Sequence, residues 1–197
     1  MFRRSGAALP QETQDYTKKK IKRYKEQDAG KVKEYRETIK HIPKGSIAYV
    51  DETGVDTFIH REHCRCKRGK KVVGRVSGKK YKRVGIVAAK LSQKIIAPLQ
   101  YDGTMDSTLF ETWFETMLLP ALPPGTAIVM DRASFHRKKE LVPLVESFGH
   151  RIIFLPPYSP ELNDIENFWS WLKNRLRKIL HNFDDFDSAL SDCFHVG

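Results

Sequence analysis

The sequence predicts an α/β domain in which helices cover both faces of a mixed central sheet. Three observations carry that expectation. Two apolar runs, residues 46–52 and 125–131, read as strands, and each leads into an aspartate. Residues 83–90 and 94–99 are β-rich and separated by Leu91-Ser92-Gln93, the pattern of a hairpin. Downstream, strand-like and amphipathic helical segments alternate as far as residue 180. A hairpin feeding strand–helix–strand units produces a sheet with antiparallel and parallel parts.

The elements follow in order. A chain of 197 residues supports one full hydrophobic core. Residues 1–45 read as a basic, charged helical extension or linker, with helices expected over roughly 12–26 and 30–40. The apolar residues Ile21, Tyr24, Val32, Tyr35 and Ile39 give that segment only a narrow packing face. The first strand is expected to stop at Asp51-Glu52, with a second short strand over 55–60. Residues 61–82 form a polar excursion punctuated by Gly69, Gly74 and Gly78. Pro98 suits an edge strand, because proline cannot donate to a ladder.

Residues 106–119 place Leu109, Phe110, Trp113, Phe114, Met117 and Leu118 at helical spacing behind Asp106 or Ser107, either of which can cap the helix. Pro120, Pro123 and Pro124 stop that helix. The strand ending at Asp131 is followed by an expected helix over 137–148 and a strand over 151–155. Pro156-Pro157-Tyr158-Ser159-Pro160 is a rigid loop, since proline fixes φ and restrains its predecessor. The last expected helix runs over about 162–180. Its stripe of Ile165, Phe168, Trp169, Leu172, Leu176, Ile179 and Leu180 faces the core.

Charge narrows the partner class. The chain carries 35 Lys and Arg against 24 Asp and Glu, a formal +11. Residues 61–83 hold eleven Lys or Arg and one acid, Glu62, for a local +10. Such a surplus favours a polyanion such as nucleic acid, while a solvated loop is the plainer alternative. Three cysteines at irregular spacing make no disulfide scaffold. No segment has the length of a membrane span or the pattern of a signal peptide, so the expected location is the cytoplasm, with no membrane partner.

The candidate chemistry lies in carboxylates. Asp51 and Asp131 each sit where an apolar strand is expected to end, and ligands gather at the carboxyl ends of strands in open α/β sheets. If those strands are neighbours, two like charges meet, and a divalent cation resolves the repulsion. Glu166, one turn into the last helix, is the third candidate. Glu52 and Asp164 are the nearest rivals, each adjacent in sequence to a chosen acid or close to it. Hard cations such as Mg²⁺ prefer oxygen ligands of this kind.

Three blocks then carry a resemblance: Asp51-Glu52-Thr53-Gly54, Asp131-Arg132-Ala133-Ser134-Phe135-His136, and residues 155–166 from Leu155 to Glu166. Together they resemble the DDE transposases of bacterial insertion sequences, in the mariner-related group. Thirty-four residues lie between Asp131 and Glu166, the interval usual in that group. Arg132 stands where the group usually has Asn, and Asp164 where it usually has Pro.

The resemblance implies an RNase H-like DDE catalytic domain over 46–197, with 61–82 as a basic insert. It implies a triad of Asp51, Asp131 and Glu166 that holds Mg²⁺ or Mn²⁺, in all two ions. The implied reaction nicks double-stranded DNA at element ends and transfers the 3′-OH into target DNA. It further implies a homodimer, with the insert reaching toward the partner. Helix-turn-helix modules that read the ends are expected outside these residues, encoded separately or missing.

The expected DNA contacts are basic. In the insert they are Arg61, Arg65, Lys67, Arg68, Lys70 and Lys71, followed by Arg75, Lys79 and Lys80. Beside the second aspartate they are Arg132 and His136, where His136 could instead hydrogen-bond within its own loop. On the last helix they are Lys173 and Arg177. His60, His63, Cys64 and Cys66 invite a zinc reading, but their spacing fits no closed four-ligand pattern. Two alternatives stand beside the transposase: a catalytically silent, non-specific DNA-binding fragment, and an RNase H-type nuclease acting on RNA–DNA hybrids.

Overall fold

In the computed structural model, the structure describes residues 24–57, 66, 67, 69–71, 73 and 83–196. Among them, five strands form one sheet in the order β3-β2-β1-β4-β5. These are β1 (Ile47–Asp56), β2 (Arg83–Leu91), β3 (Lys94–Asp102), β4 (Ala127–Met130) and β5 (Arg151–Phe154). β1, β2 and β3 pair antiparallel, whereas β1, β4 and β5 run parallel. This is the mixed sheet that the sequence predicts.

Period-two burial explains how one sheet serves two helical layers. On one face, Ala48, Val50, Val87, Ala89, Ile128 and Met130 pack with Phe110, Trp113, Phe114, Leu141 and Val145. These last belong to α2 (Ser107–Trp113), the π-helical turn Phe114–Leu118 that continues it, and α4 (Lys138–Ser147). The short α3 (Leu119–Ala121) closes that run before Pro123 and Pro124. On the other face, Val55, Ile86 and Ala88 pack with Ile165, Trp169, Leu172 and Leu176 of α5 (Ile165–Ile179). Ala189, Leu190 and Cys193 of α6 (Phe186–Val196) complete that layer. A third cluster seats Tyr35 of α1 (Ala29–Lys40) against Ile47, Ala127, Val129 and Leu155.

Several elements differ from expectation. β1 does not stop at Glu52 to make way for a second strand; it continues to Asp56, because β2 pairs with it from Ala48↔Leu91 to Asp56↔Arg83. Of the helix expected over 12–26, residues 12–23 lie outside the described residues and residues 25 and 26 form a turn; Asp28 caps α1 through Gly30 N and Lys31 N. The last helix starts later than expected, after a 3-10 turn over Pro160–Leu162. α6 was not expected, since its acidic neighbours hide the apolar stripe. Pro98 lies, as expected, on an edge strand, and β3 slips register between Val87 and Ala89 of its partner. A Cβ at Gly85 would lie 2.3 Å from the Tyr101 ring, so any side chain there would require that ring to move.

Candidate active site

The register of β1 and β4 brings the two aspartates level. The parallel pairs are Ile47↔Ala127, Ala48↔Ile128 and Tyr49↔Val129. Two further residues along each strand lead to Asp51 and Asp131. β4 ends at Met130, so Asp131 leaves the sheet where β1 continues past it. This is the crossover position between the antiparallel and parallel halves, where strand order reverses.

Glu166 arrives from α5, whose start is tied to β1. Asn163 is buried, and its Nδ2 donates to the Val50 carbonyl at 3.1 Å. Its own carbonyl accepts from Glu166 N at 3.2 Å. The residue before Asp51 is thus linked through one asparagine to Glu166. Lys90 of β2 adds an ion pair to Asp164 at the same helix start. Asp51, Asp131 and Glu166 all line one cavity of about 640 Å³, with Arg132 and Asn163 among the other lining residues.

Electrostatics mark this cavity as charge-crowded. Burial, then Glu166 and Glu52, push the Asp51 carboxyl up to about 8 from its ordinary 3.8. Trp169, only 1% exposed, donates its indole N–H to Asp51 Oδ2 at 3.1 Å. Asp131 is held differently. A hydrogen bond from His136 keeps its carboxyl below the usual range, and Ala133 N donates to it at 3.0 Å.

His136 joins the two strands. Its side chain is 1% exposed, with Nδ1 3.1 Å from Asp131 Oδ1 and Nε2 3.2 Å from Glu52 Oε1. Burial opposes its charge, but the bonds to Asp131 and Glu52 outweigh that and raise the imidazole to about 9. An imidazolium donates from both nitrogens, which suits two acceptor-only carboxylates. The ring also packs on Phe110 at 4.3 Å and Phe135 at 4.4 Å between centroids. His136 therefore faces carboxylates inside the fold, and its bond to Asp131 is the alternative to the expected DNA contact, a hydrogen bond within its own loop.

Among the described residues, no group of three or more His, Cys, Asp and Glu side chains closes into a ready-made metal cage. The chemistry of the site still suits a hard divalent cation. Its acids supply oxygen ligands, and a cation would relieve the crowding of carboxylates that pushes the Asp51 carboxyl up.

The remaining predicted residues divide. Arg132 is exposed at the cavity, its guanidinium 5.6 Å from the Phe154 ring centroid. Lys173 is half-buried, with Glu166 and Asp51 among its charged neighbours. Arg177 is exposed and donates to Asn174. Lys67, Lys70 and Lys71 are exposed, whereas Arg61, Arg65, Arg68, Arg75, Lys79 and Lys80 lie outside the described residues. His60, His63 and Cys64 lie outside them too, and Cys66 is an exposed free thiol. Sequence reasoning took Trp169 only as a core aromatic and Glu52 only as a rival acid. It assigned no part to Asn163. The signal for Trp169 was its spacing of three from Glu166, which puts both near one helical face.

Comparisons with known proteins bear on the family and the fold. A family model described as DDE superfamily endonuclease matches residues 46–189. An uncharacterized protein of Sinorhizobium fredii is 36% identical over 72 residues, covering 34% of this chain and 46% of its own. The Mos1 transposase paired-end complex with left transposon end superposes with a TM-score of 0.66 at 13% identity, over 94% of this chain and 61% of that one. The mariner Mos1 paired end complex with Mg gives 0.63 at 15% identity, over 90% and 59%. A simian T-cell lymphotropic virus intasome gives 0.51 at 16% identity, over 76% and 47%. The chain thus spans about three fifths of the Mos1 protein and under half of the Sinorhizobium relative. These structures share the RNase H-like fold with it.

Proposed function

The chain belongs to the DDE superfamily of endonucleases, and from that premise we propose that it is a divalent-metal-dependent DNA-cutting and strand-transferring domain of a transposase. Asp51, Asp131 and Glu166 are its catalytic and metal-holding residues. The single observation that carries this reading is the β1–β4 register, which sets Asp51 level with Asp131 beside a helix bearing Glu166.

Mg²⁺ or Mn²⁺, held as a pair by these acids, would supply Lewis-acid stabilisation of the phosphoryl oxygens and lower the pKa of an attacking water. The chain's own residues do the rest. Asn163 fixes the approach of Glu166 to β1. Trp169 orients one Asp51 oxygen. His136 holds Asp131 and Glu52 in place. Arg132 at the cavity and the lysines of the basic insert draw the DNA backbone in. In the first step the water oxygen bonds to phosphorus and the 3′-oxygen leaves. In the second, the oxygen of that 3′-OH bonds to the phosphorus of a target phosphodiester while the target's own 3′-oxygen leaves and takes up the proton. The partner is double-stranded DNA, and the working unit is a homodimer.

The test is nicking of duplex DNA in Mg²⁺ or Mn²⁺. Asp51→Asn, Asp131→Asn and Glu166→Gln should each lower it by at least a hundredfold, with folding retained. Equal nicking by all three variants and the parent would overturn the assignment. Degradation of the RNA strand of a hybrid, with DNA duplexes left whole, would favour an RNase H-type nuclease instead.

A further inference from the structure

The cavity that holds the carboxylates also has an aromatic rim. Tyr24 and Tyr158 both line it, with ring centroids 6.1 Å apart and planes tilted by 41°. Both rings stay largely open to solvent, at 55% and 56% exposure. That is the opposite of how a tyrosine is used in a core.

The backbone under Tyr158 is held as firmly as its ring is free. Tyr158 has φ +57, in the left-handed region that a bulky residue rarely adopts. Such conformations persist only where the surroundings enforce them, and they gather at functional sites. Pro157 precedes it and Pro160 follows two residues later. Ser159 is buried and donates from Oγ to the Pro157 carbonyl at 3.1 Å. Gln27 clasps the loop from the other side. Its Nε2 lies 2.9 Å from Ser159 Oγ, 2.6 Å from Glu161 Oε1 and 3.3 Å from the Tyr158 carbonyl. These contacts hold the backbone of Tyr158 without covering its ring.

We propose that Tyr158, backed by Tyr24, is a stacking platform for an unpaired nucleobase of the DNA strand being cut. The inference rests on the proposed function, since it needs a phosphate at the carboxylate end of the same cavity. A cavity of about 640 Å³ has room for a nucleotide. Carboxylates and Arg132 give its lining charge, while the two tyrosines and Pro157 give it apolar surface. A nucleobase has the matching shape, an apolar face attached to a charged backbone. Stacking on an aromatic ring accepts any base, because each has a π-face. A base inside a duplex has both faces covered by its neighbours, so the platform selects an unpaired one.

The test uses the full chain carrying Asp131→Asn, so that strands are not cut. The probe is a duplex with a one-nucleotide 3′ overhang of 2-aminopurine, whose fluorescence falls when it stacks on an aromatic ring. The control is a blunt duplex with 2-aminopurine paired inside. The parent and Tyr158→Phe should quench the overhang. Tyr158→Ala should lose the quenching and bind the overhang probe on the order of tenfold more weakly, with the blunt duplex bound equally by all. Tyr158→Gly, which suits a left-handed backbone, should behave as Tyr158→Ala does and guards against a folding artefact. Quenching unchanged in Tyr158→Ala and Tyr158→Gly, or absent in the parent, overturns the platform. Nicking by the unsubstituted chain is measured apart. Its loss in the carboxylate variants tests the catalytic reading whatever the tyrosines do.

Discussion

Burying a carboxyl group among other carboxyls raises the free energy of its ionised form, and at Asp51 this has a measurable sign. Its folded pKa, about 8, lies above the ordinary 3.8, so the folded protein holds the proton more tightly than the unfolded chain. Stability of the metal-free protein should therefore fall as pH rises from about 4 to about 8. His136 adds to the same slope. Its pKa is raised to about 9, so its contribution is complete below 6.5 and is lost as pH rises through 9. Urea unfolding at pH 6 and pH 8 should show the parent losing about 1–3 kcal/mol over that interval, with a smaller loss in Asp51→Asn. An equal slope in both proteins would show that Asp51 is already ionised well below pH 6. Trp169 offers a second test. Trp169→Phe keeps most of the packing but removes the N–H on Asp51 Oδ2. A hydrogen bond to a charged group is worth about 1.5–3 kcal/mol, so nicking should drop roughly tenfold to a hundredfold. Unchanged nicking would mean that the indole only fills space.

The start of α5 is where two elements meet the chemistry. Asn163→Ala removes the bond to the Val50 carbonyl, but it also removes Asn163 Oδ1, a buried oxygen with no partner. The two effects oppose each other, so the expected cost is about 1 kcal/mol by urea denaturation, at the low end for a buried hydrogen bond. Nicking should fall by more than that change in stability explains, because Glu166 loses its tie to β1. Asp164 stands where the resemblance leads one to expect proline, and the backbone there suits that residue. Its φ is −67, the value proline requires, and Asn163 before it is extended at φ −93 and ψ 105. Asp164→Pro would give up the pairs to Lys90 and Asn167 while restricting the unfolded chain. Stability should move by less than about 1 kcal/mol. A larger loss would assign the Lys90 pair a structural weight that its half-exposed position does not suggest.

At the scale of the whole molecule, the sheet and its two helical layers were legible because strand and helix periods differ, and the runs before Asp51 and Asp131 are short and apolar. What was not legible depended on contacts between distant segments. Nothing local says that β1 continues to Asp56, since β2 supplies the pairing thirty residues later. Nothing local says that His136 turns inward, because Glu52 and Asp131 reach it from two strands. α6 was hidden by Asp184, Asp185, Asp187 and Asp192, although Leu190 and Cys193 are buried. The net charge of +11 makes its own prediction. Replacing Lys67, Lys70 and Lys71 together by Gln should flatten the salt dependence of duplex binding by at most about 3 in log–log slope, with similar changes for unrelated DNA sequences. A loss confined to one DNA sequence would contradict backbone contact. The central claim is that Asp51, Asp131 and Glu166 form one cation site, and anomalous diffraction from crystals grown with Mn²⁺ tests it most directly. A peak at about 2.1 Å from oxygens of Asp51 and Asp131, weakened in Glu166→Gln, is the expected result. Mn²⁺ bound only elsewhere in crystals of protein that nicks DNA would contradict it.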